Sequence, residues 1–318
     1  MNRSRIFIFG SSGFVGANLL RFLLKENYEV GVLLRKSSNL WRIGDKVHQL
    51  EKYFGDASSL EAVSSALSDF GPDVVINTMN YGGAYGEADV ERIVDTNIKG
   101  LTHVLEVSNQ RGVDLFINTG SYGEYGVKNG EVNEECSTYP IGEYCISKLL
   151  GTLYCKHFAL SRQLNVVNLR LFQVYGFYEN PIKLMPSTMV ALLKEKEPGI
   201  RNPTAKRDFV FIEDVIDAYG KIIKDTTQIH HGDIFNIGTS VPHTVSEVVS
   251  KLALLLTNKS SGGNVCGELR SEDSLNNYVA DISKIRSVYS WKPQFSLDRG
   301  LATYVEWFKE NVHQYVEK

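Results

Sequence analysis

Cysteine is scarce in this chain of 318 residues: Cys136, Cys145, Cys155 and Cys266 are all there are. They are too few for a disulfide scaffold, and no two are spaced as a CxxC pair, so a structural zinc site or dithiol redox motif is not expected. Reduced, buried or half-buried thiols in a cytoplasmic protein are the expectation, and no metal site is predicted. Cys145 adjoins Tyr144, but consecutive helical residues point in different directions, so it is assigned no role. Long apolar runs are also missing. No stretch reaches the length of a membrane span. The N-terminal run "RIFIF" is short and ends in glycine, which predicts a first buried strand rather than a signal peptide. There is no block of basic residues. Lys and Arg number 34 against 37 Asp and Glu, a formal net charge of -3, which argues against nucleic acid as a partner. A small anionic ligand stays compatible, because a few local cations suffice for it. No internal repeat and no low-complexity linker occur, so any two lobes are expected to pack intimately.

What is present is ordinary for a globular protein: 43% hydrophobic and 22% charged residues. The length allows one large domain or two unequal ones. Short β-rich runs alternate with helical spacing over the first half. "RIFIFG", "EVGVLL", "KVHQLEKY", "DVVIN", "VDLFINTG" and "LNVVNLRLF" read as strands. "GFVGANLLRFLLKENY", "SLEAVSSALSDF", "EADVERIVDTNIKGLTHVLEVSNQ" and "IGEYCISKLLGTLYCKHFALSR" read as helices. Such alternation predicts an α/β fold, a doubly wound parallel sheet with helices on both faces. After about residue 175 the elements become shorter and mixed, which suits a smaller second lobe.

The first strand runs into "GSSGFVG", with Gly10, Gly13 and Gly16. A tight turn without Cβ atoms lets the backbone approach a pyrophosphate, and the following helix offers free N–H groups to the anion. The plain alternative is a tight turn with close strand–helix packing. Its place at the first strand–helix junction favours dinucleotide binding. The second strand should end near the adenosine ribose, where a carboxylate suits NAD and a cation suits the 2′-phosphate of NADP. Leu34 stands where the acid is sought, and Arg35, Lys36, Ser37 and Ser38 follow. The reading is NADP as cofactor, with NAD possible. Asp56, after the third strand, suits either the adenine amino group or a helix cap.

Carbonyl reduction needs a hydride donor, a proton donor and a group that holds the carbonyl. In "EYCISK", Tyr144 and Lys148 are one helical turn apart and share a face. An ammonium beside a phenol is expected to lower its pKa from about 10. Ser121, in "NTGSYGEYG", falls at a strand's carboxyl end, where ligands collect in parallel sheets.

With these residues the chain resembles, nearly end to end, the extended short-chain dehydrogenase/reductases that act on nucleotide sugars. The resemblance rests on "GSSGFVG", "GD" at 55–56, Asn97, Ser121 four residues before "YG" at 125–126, "YCISK", "LRLFQVYG", "RDFVFIEDV" and "DISKIRSVYSWKPQFSLDRGL". It implies a Rossmann-type domain over 1–175, with later segments at about 205–240 returning to it. A mainly nucleotide-sugar-binding lobe would occupy 176–318. Tyr144 would be the general acid or base, Lys148 would hold the nicotinamide ribose, and Ser121 would bond the reacting sugar oxygen, with Thr119 a weaker candidate. Cofactor contacts would come from Gly10, Ser12, Gly13, Phe14, Val15, Arg35, Lys36, Ser38, Asp56, Thr78, Met79 and Asn97, besides Tyr144 and Lys148. Substrate contacts would come from Tyr81, Ser121, Tyr122, Tyr144, Gln173 and Arg207. Arg270 is balanced between a diphosphate contact and a salt bridge to a neighbour such as Glu272. A homodimer through a four-helix bundle, built from the helices at 87–110 and 140–162, is also implied.

Three chemistries share this scaffold. A 4,6-dehydratase of the family carries an Asp-Glu pair directly after its catalytic hydroxyl residue. Tyr122 and Gly123 stand there, and Glu124 comes one position late. A 4-epimerase with retained NAD(P) is the alternative to a 4-ketoreductase that consumes NADPH, which "LLRKSS" favours. "INTGSYGEYG", "VNLRLFQVYG" and "RDFVFIEDVIDAY" resemble the branch of CDP-abequose and CDP-paratose synthases. The expected substrate is therefore a CDP-, dTDP- or GDP-linked 4-keto-6-deoxyhexose used for deoxysugars such as those of O-antigen. A non-catalytic NADP-binding sensor is the competing class. Such proteins usually lose the Tyr–Lys pair or the serine, and here all three are kept.

Overall fold

The computed structural model describes residues 4–83, 87–229, 232–259, 263–265 and 277–316. Chain order begins β1 (Arg5–Phe9), α1 (Phe14–Lys25), β2 (Glu29–Leu34), β3 (Glu51–Phe54), α2 (Leu60–Phe70) and β4 (Val74–Asn77). Then come α3 (Val90–Ile93), a π-helical stretch (Val94–Gly100), α4 (Leu101–Arg111), β5 (Leu115–Ser121), β6 (Asn129–Val132), α5 (Glu143–Arg162) and β7 (Val166–Leu171). The rest is β8 (Gln173–Tyr175), α6 (Leu184–Leu193), β9 (Gly199–Ile200), β10 (Lys206–Phe211), α7 (Ile212–Lys224), β11 (Asp233–Ile237), β12 (Pro242–Thr244) and α8 (Val245–Thr257). It closes with β13 (Asn264–Val265), β14 (Asn277–Ala280), α9 (Ser283–Tyr289), α10 (Leu297–Asn311) and α11 (His313–Val316).

Seven strands form one parallel sheet in the order β11-β7-β5-β4-β1-β2-β3. The Rossmann-type fold read from the alternation is the fold observed. Successive side chains of a strand face opposite ways, so a strand covered on both sides is apolar throughout. In β1, Ile6 and Ile8 enter one core with α1 and α7, while Phe7 and Phe9 enter the other with α2, α4 and α5. In β5, Leu115 and Ile117 follow the first core and Phe116 the second.

Among the described residues there are also three small sheets: β12-β10-β8, β13-β9 and β14-β6. Asp208 of β10 ties two of them together. Its carboxylate accepts the N–H groups of Thr239 (2.7 Å), Ser240 (3.0 Å) and Ala280 (3.0 Å). Two elements differ from the sequence reading. "KVHQLEKY" divides into a single 3₁₀ turn at Val47–Gln49 and a strand that starts only at Glu51. The long helix winds through the π-helical turn at Val94–Gly100, which a 3.6-residue period does not reveal.

Candidate active site

A cavity of about 660 Å³ opens at the carboxyl ends of the central strands. Gly10 sits at φ +82°, and a Cβ there would lie 2.6 Å from the Met79 nitrogen, so only glycine lets the turn approach the end of β4. The Gly13 N–H closes the turn on the Gly10 carbonyl at 2.9 Å. Gly13 is also the N-cap of α1 and has no side chain to bond the first-turn N–H groups, which leaves them to an anion. Gly10, Ser12, Gly13, Phe14 and Val15 all line the cavity. This cradle fits a dinucleotide pyrophosphate.

Arg35, Ser38 and Asp56 line the far end. The Arg35 guanidinium is 3.9 Å from the Asp56 carboxylate, and the Ser38 hydroxyl accepts the Arg35 N–H at 3.0 Å. Asp56 caps no helix. It accepts the Ser58 N–H, while Ser59 is the N-cap of α2. Lys36 is exposed and lies off the lining. Arg92 and Thr96 line the cavity and were missed in the sequence. Their i,i+4 spacing on a helix after β4 was the available signal. The Arg92 guanidinium stacks on the Tyr81 ring at 4.3 Å.

Thr78 and Met79 line the cavity, but Tyr81 and Asn97 do not. Asn97 is buried and works as a clamp. Its amide donates to the Tyr81 carbonyl (2.8 Å) and to the Ser147 hydroxyl (2.9 Å), and its oxygen accepts the Tyr81 N–H (2.9 Å). Ser147 in turn donates to the Tyr144 carbonyl at 2.7 Å. Asn97 thus joins the loop after β4 to the first turn of α5.

Ser121, Tyr144 and Lys148 meet on the lining. Tyr144 is hydrogen-bonded to Ser121, whose hydroxyl also accepts the Gly123 N–H at 3.1 Å. Lys148 Nζ donates to the carbonyls of Thr119 (2.8 Å) and Met79 (3.4 Å). Burial brings the Lys148 ammonium down to about 8. Burial also pushes the Tyr144 phenol above its ordinary value, opposed by the Ser121 hydrogen bond. Burial sets the direction, and the lowering expected from Lys148 is not seen. Thr119 is turned away: its hydroxyl donates to the Asn77 carbonyl (2.7 Å) and meets the Tyr219 hydroxyl (2.6 Å). Tyr122 and Gln173 line the cavity together, the phenol donating to Gln173 Oε1 at 3.3 Å.

Arg207 does not line the cavity. It stands opposite His243 in the β10–β12 ladder and donates to the Lys206 carbonyl at 2.8 Å. Arg270 and Cys266 lie outside the described residues. Cys145 is off the cavity lining, whereas Tyr144 beside it is on it. A Cβ on Gly123 would meet the Cys145 Sγ at 2.6 Å, so the thiol packs against the turn after Ser121, which curls back over α5. Glu124 is absent from the lining and is buried against Arg170. Among the described residues there is no cluster of His, Cys, Asp or Glu that could hold a metal. Nor is any helix among them long and apolar enough to cross a membrane.

Comparison with known proteins gives the family. Residues 6–238 match the model of the NAD dependent epimerase/dehydratase family. The chain is 24% identical to UDP-glucose 4-epimerase of Lactobacillus helveticus, over 99% of this chain and all of that protein. It is 26% identical to a probable dTDP-glucose 4,6-dehydratase of Sinorhizobium fredii, over 96% of this chain and 93% of the relative. The crystal structure of dTDP-glucose 4,6-dehydratase from Bacillus anthracis in complex with NAD superposes with a TM-score of 0.85 at 23% identity, covering 97% of each chain. The family model matches well over half of the chain, and this protein belongs to the NAD dependent epimerase/dehydratase family of enzymes.

Proposed function

We propose that the protein reduces the C4 ketone of a nucleoside-diphospho-4-keto-6-deoxyhexose, with NADPH as the reductant. The carrying observation is the Ser121–Tyr144–Lys148 constellation on the wall of a cavity whose other end is the glycine cradle. The nicotinamide, when bound, supplies hydride to C4. Tyr144 passes its phenolic proton to the C4 oxygen, and Ser121 hydrogen-bonds that oxygen as charge builds on it. Lys148, fixed by two carbonyls on the same wall, keeps a cation within this proton-handling site and would hold the nicotinamide ribose. First-turn N–H groups of α1 hold the pyrophosphate.

Two observations support reduction over dehydration. Tyr122 and Gly123 follow Ser121, and Glu124 is committed to Arg170 at 2.8 Å rather than to the cavity. Arg35, with no acid at the end of β2, supports NADPH over NADH. Epimerisation at C4 with a retained cofactor is the second reading, favoured by the UDP-glucose 4-epimerase relative. A homodimer fits the exposed stripe Ile146, Leu150, Leu153, Tyr154 and Leu160 on α5, whose spacing is that of one helix face.

The test uses purified protein, NADPH and a panel of 4-keto and 4-hydroxy nucleotide sugars. Reduction consumes one NADPH per sugar, whereas epimerisation interconverts C4 isomers with no net cofactor loss. Tyr144→Phe should keep dinucleotide binding while turnover falls by about 10²–10⁴. Near-normal turnover in that variant refutes the proton-transfer role.

A further inference from the structure

Glu124 is fully buried, within the 3₁₀ turn Tyr122–Tyr125 that follows Ser121. Its Oε1 accepts the Ser121 N–H at 2.8 Å. Its Oε2 accepts Arg170 Nε–H at 2.8 Å and the Thr152 hydroxyl at 2.9 Å. Every one of these partners is a donor, so the group they fit is the carboxylate anion, held against the upward push of burial. Arg170 is itself 3% exposed and lies over the Tyr125 ring at 4.6 Å. Strand β5 makes room for the carboxylate: a Cβ on Gly120 would fall 2.6 Å from Oε1.

A buried ion pair is a poor device for stability alone, since apolar residues of the same shape serve as well or better. Its position suggests what else it does. Ser121 ends β5, Thr152 lies one turn after Lys148 on α5, and Arg170 belongs to β7. One carboxylate therefore ties the serine's backbone both to the helix that carries the tyrosine and lysine and to the neighbouring strand.

We infer that Glu124 is a positioning residue, whose buried carboxylate fixes the Ser121 backbone against α5 and β7 and so holds the Ser121–Tyr144–Lys148 site in shape. The inference rests on the proton-handling roles given above to Ser121 and Lys148. The charged and titratable groups around the pair are few. Lys148 is faced by Glu124 and Cys155, and by the carbonyls of Thr119 and Met79. Glu124 is faced by Arg170, Lys148, Tyr144 and Cys155, and Tyr125 and the Glu134 carbonyl lie against Arg170. Glu124 favours the charged form of Lys148, whereas Cys155 is pushed up by its own burial and stays a neutral thiol.

The experiment follows the pH dependence of Lys148 acylation by an amine-reactive ester, read peptide by peptide by mass spectrometry, together with amide hydrogen exchange over residues 121–126. Three variants are compared: Glu124→Gln, the charge-free pair Glu124→Leu with Arg170→Met, and the milder Thr152→Val. Loss of the carboxylate should lower the Lys148 midpoint by roughly one pH unit and speed exchange at the Ser121 turn by about tenfold. Thr152→Val should shift both in the same direction by less. If Glu124→Gln fails to fold, the other two variants give the answer. An unchanged midpoint with unchanged exchange in a folded variant overturns the inference. Neither readout uses a sugar. A shifted Lys148 in a protein that turns over no 4-keto sugar would keep Glu124's role and discard the proposed reaction.

Discussion

Glu179 offers a prediction that does not depend on the substrate. It lies between β8 and α6, is 4% exposed, and has one carboxylate oxygen, Oε2, with no hydrogen-bond partner. Burial outweighs Lys183, the Gly176 N–H and Arg42, and raises its pKa from 4.5 to about 8. The folded state therefore holds this proton more tightly than the unfolded chain. The stability it contributes is complete below about pH 4.5 and is lost as the pH rises to about 8. At about 1.4 kcal/mol per unit, the interval sets a ceiling of about 5 kcal/mol, of which about 3 kcal/mol is gone by neutral pH. Glu179→Gln keeps the shape and removes the titration. Urea unfolding of both proteins without nucleotide, at about pH 5 and about pH 8, isolates the effect. Asp214, pushed up to about 6 by its burial, titrates identically in both and drops out of the difference. The variant should gain several kcal/mol on the wild type between the two pH values. Parallel stabilities across that range would refute the assignment of an uncompensated buried acid.

Three further outcomes are expected. Arg35→Ala should weaken NADPH binding by about tenfold or more while leaving NADH binding unchanged. Equal losses in a fluorescence titration would remove the 2′-phosphate from Arg35. Turnover should fall as the pH rises through about 8, where Lys148 loses its charge, and a flat alkaline profile would contradict the role of the ammonium. Asp208→Ala strands three backbone N–H groups, so chemical denaturation should report a loss of about 3 kcal/mol or more.

Strand and helix periodicity made the main sheet legible, because strands buried on both faces are apolar without interruption and the glycine turn marks their first junction. Ser121, Tyr144 and Lys148 were legible for a similar reason, since each sits at a fixed offset within one element. What escaped the sequence depends on how elements meet. Asn97 reads as a site residue but spends its amide on Tyr81 and Ser147, a long-range contact no spacing encodes. Arg92 reaches the cavity from a helix whose facing is set by the π-helical turn below it. Cys145 packs against the turn that the chain makes after Ser121, a contact that residue-by-residue helical geometry does not encode. Glu124 stands one position late for the Asp-Glu pair, and its pairing with Arg170 depends on the register of β5 on β7.

The turn at Val94–Gly100 also makes the chain's length there a constrained quantity. A π-helical turn accommodates one residue more than the α-helical path between the same two ends. Deleting one residue within it would therefore let the segment relax to an ordinary helix while its two ends stay in place. Arg92, before the turn, would keep its place on the cavity and its stack on the Tyr81 ring. A gap in α4, where no extra residue is stored, would instead turn everything before it by about 100° around the axis and carry Arg92 away from the cavity.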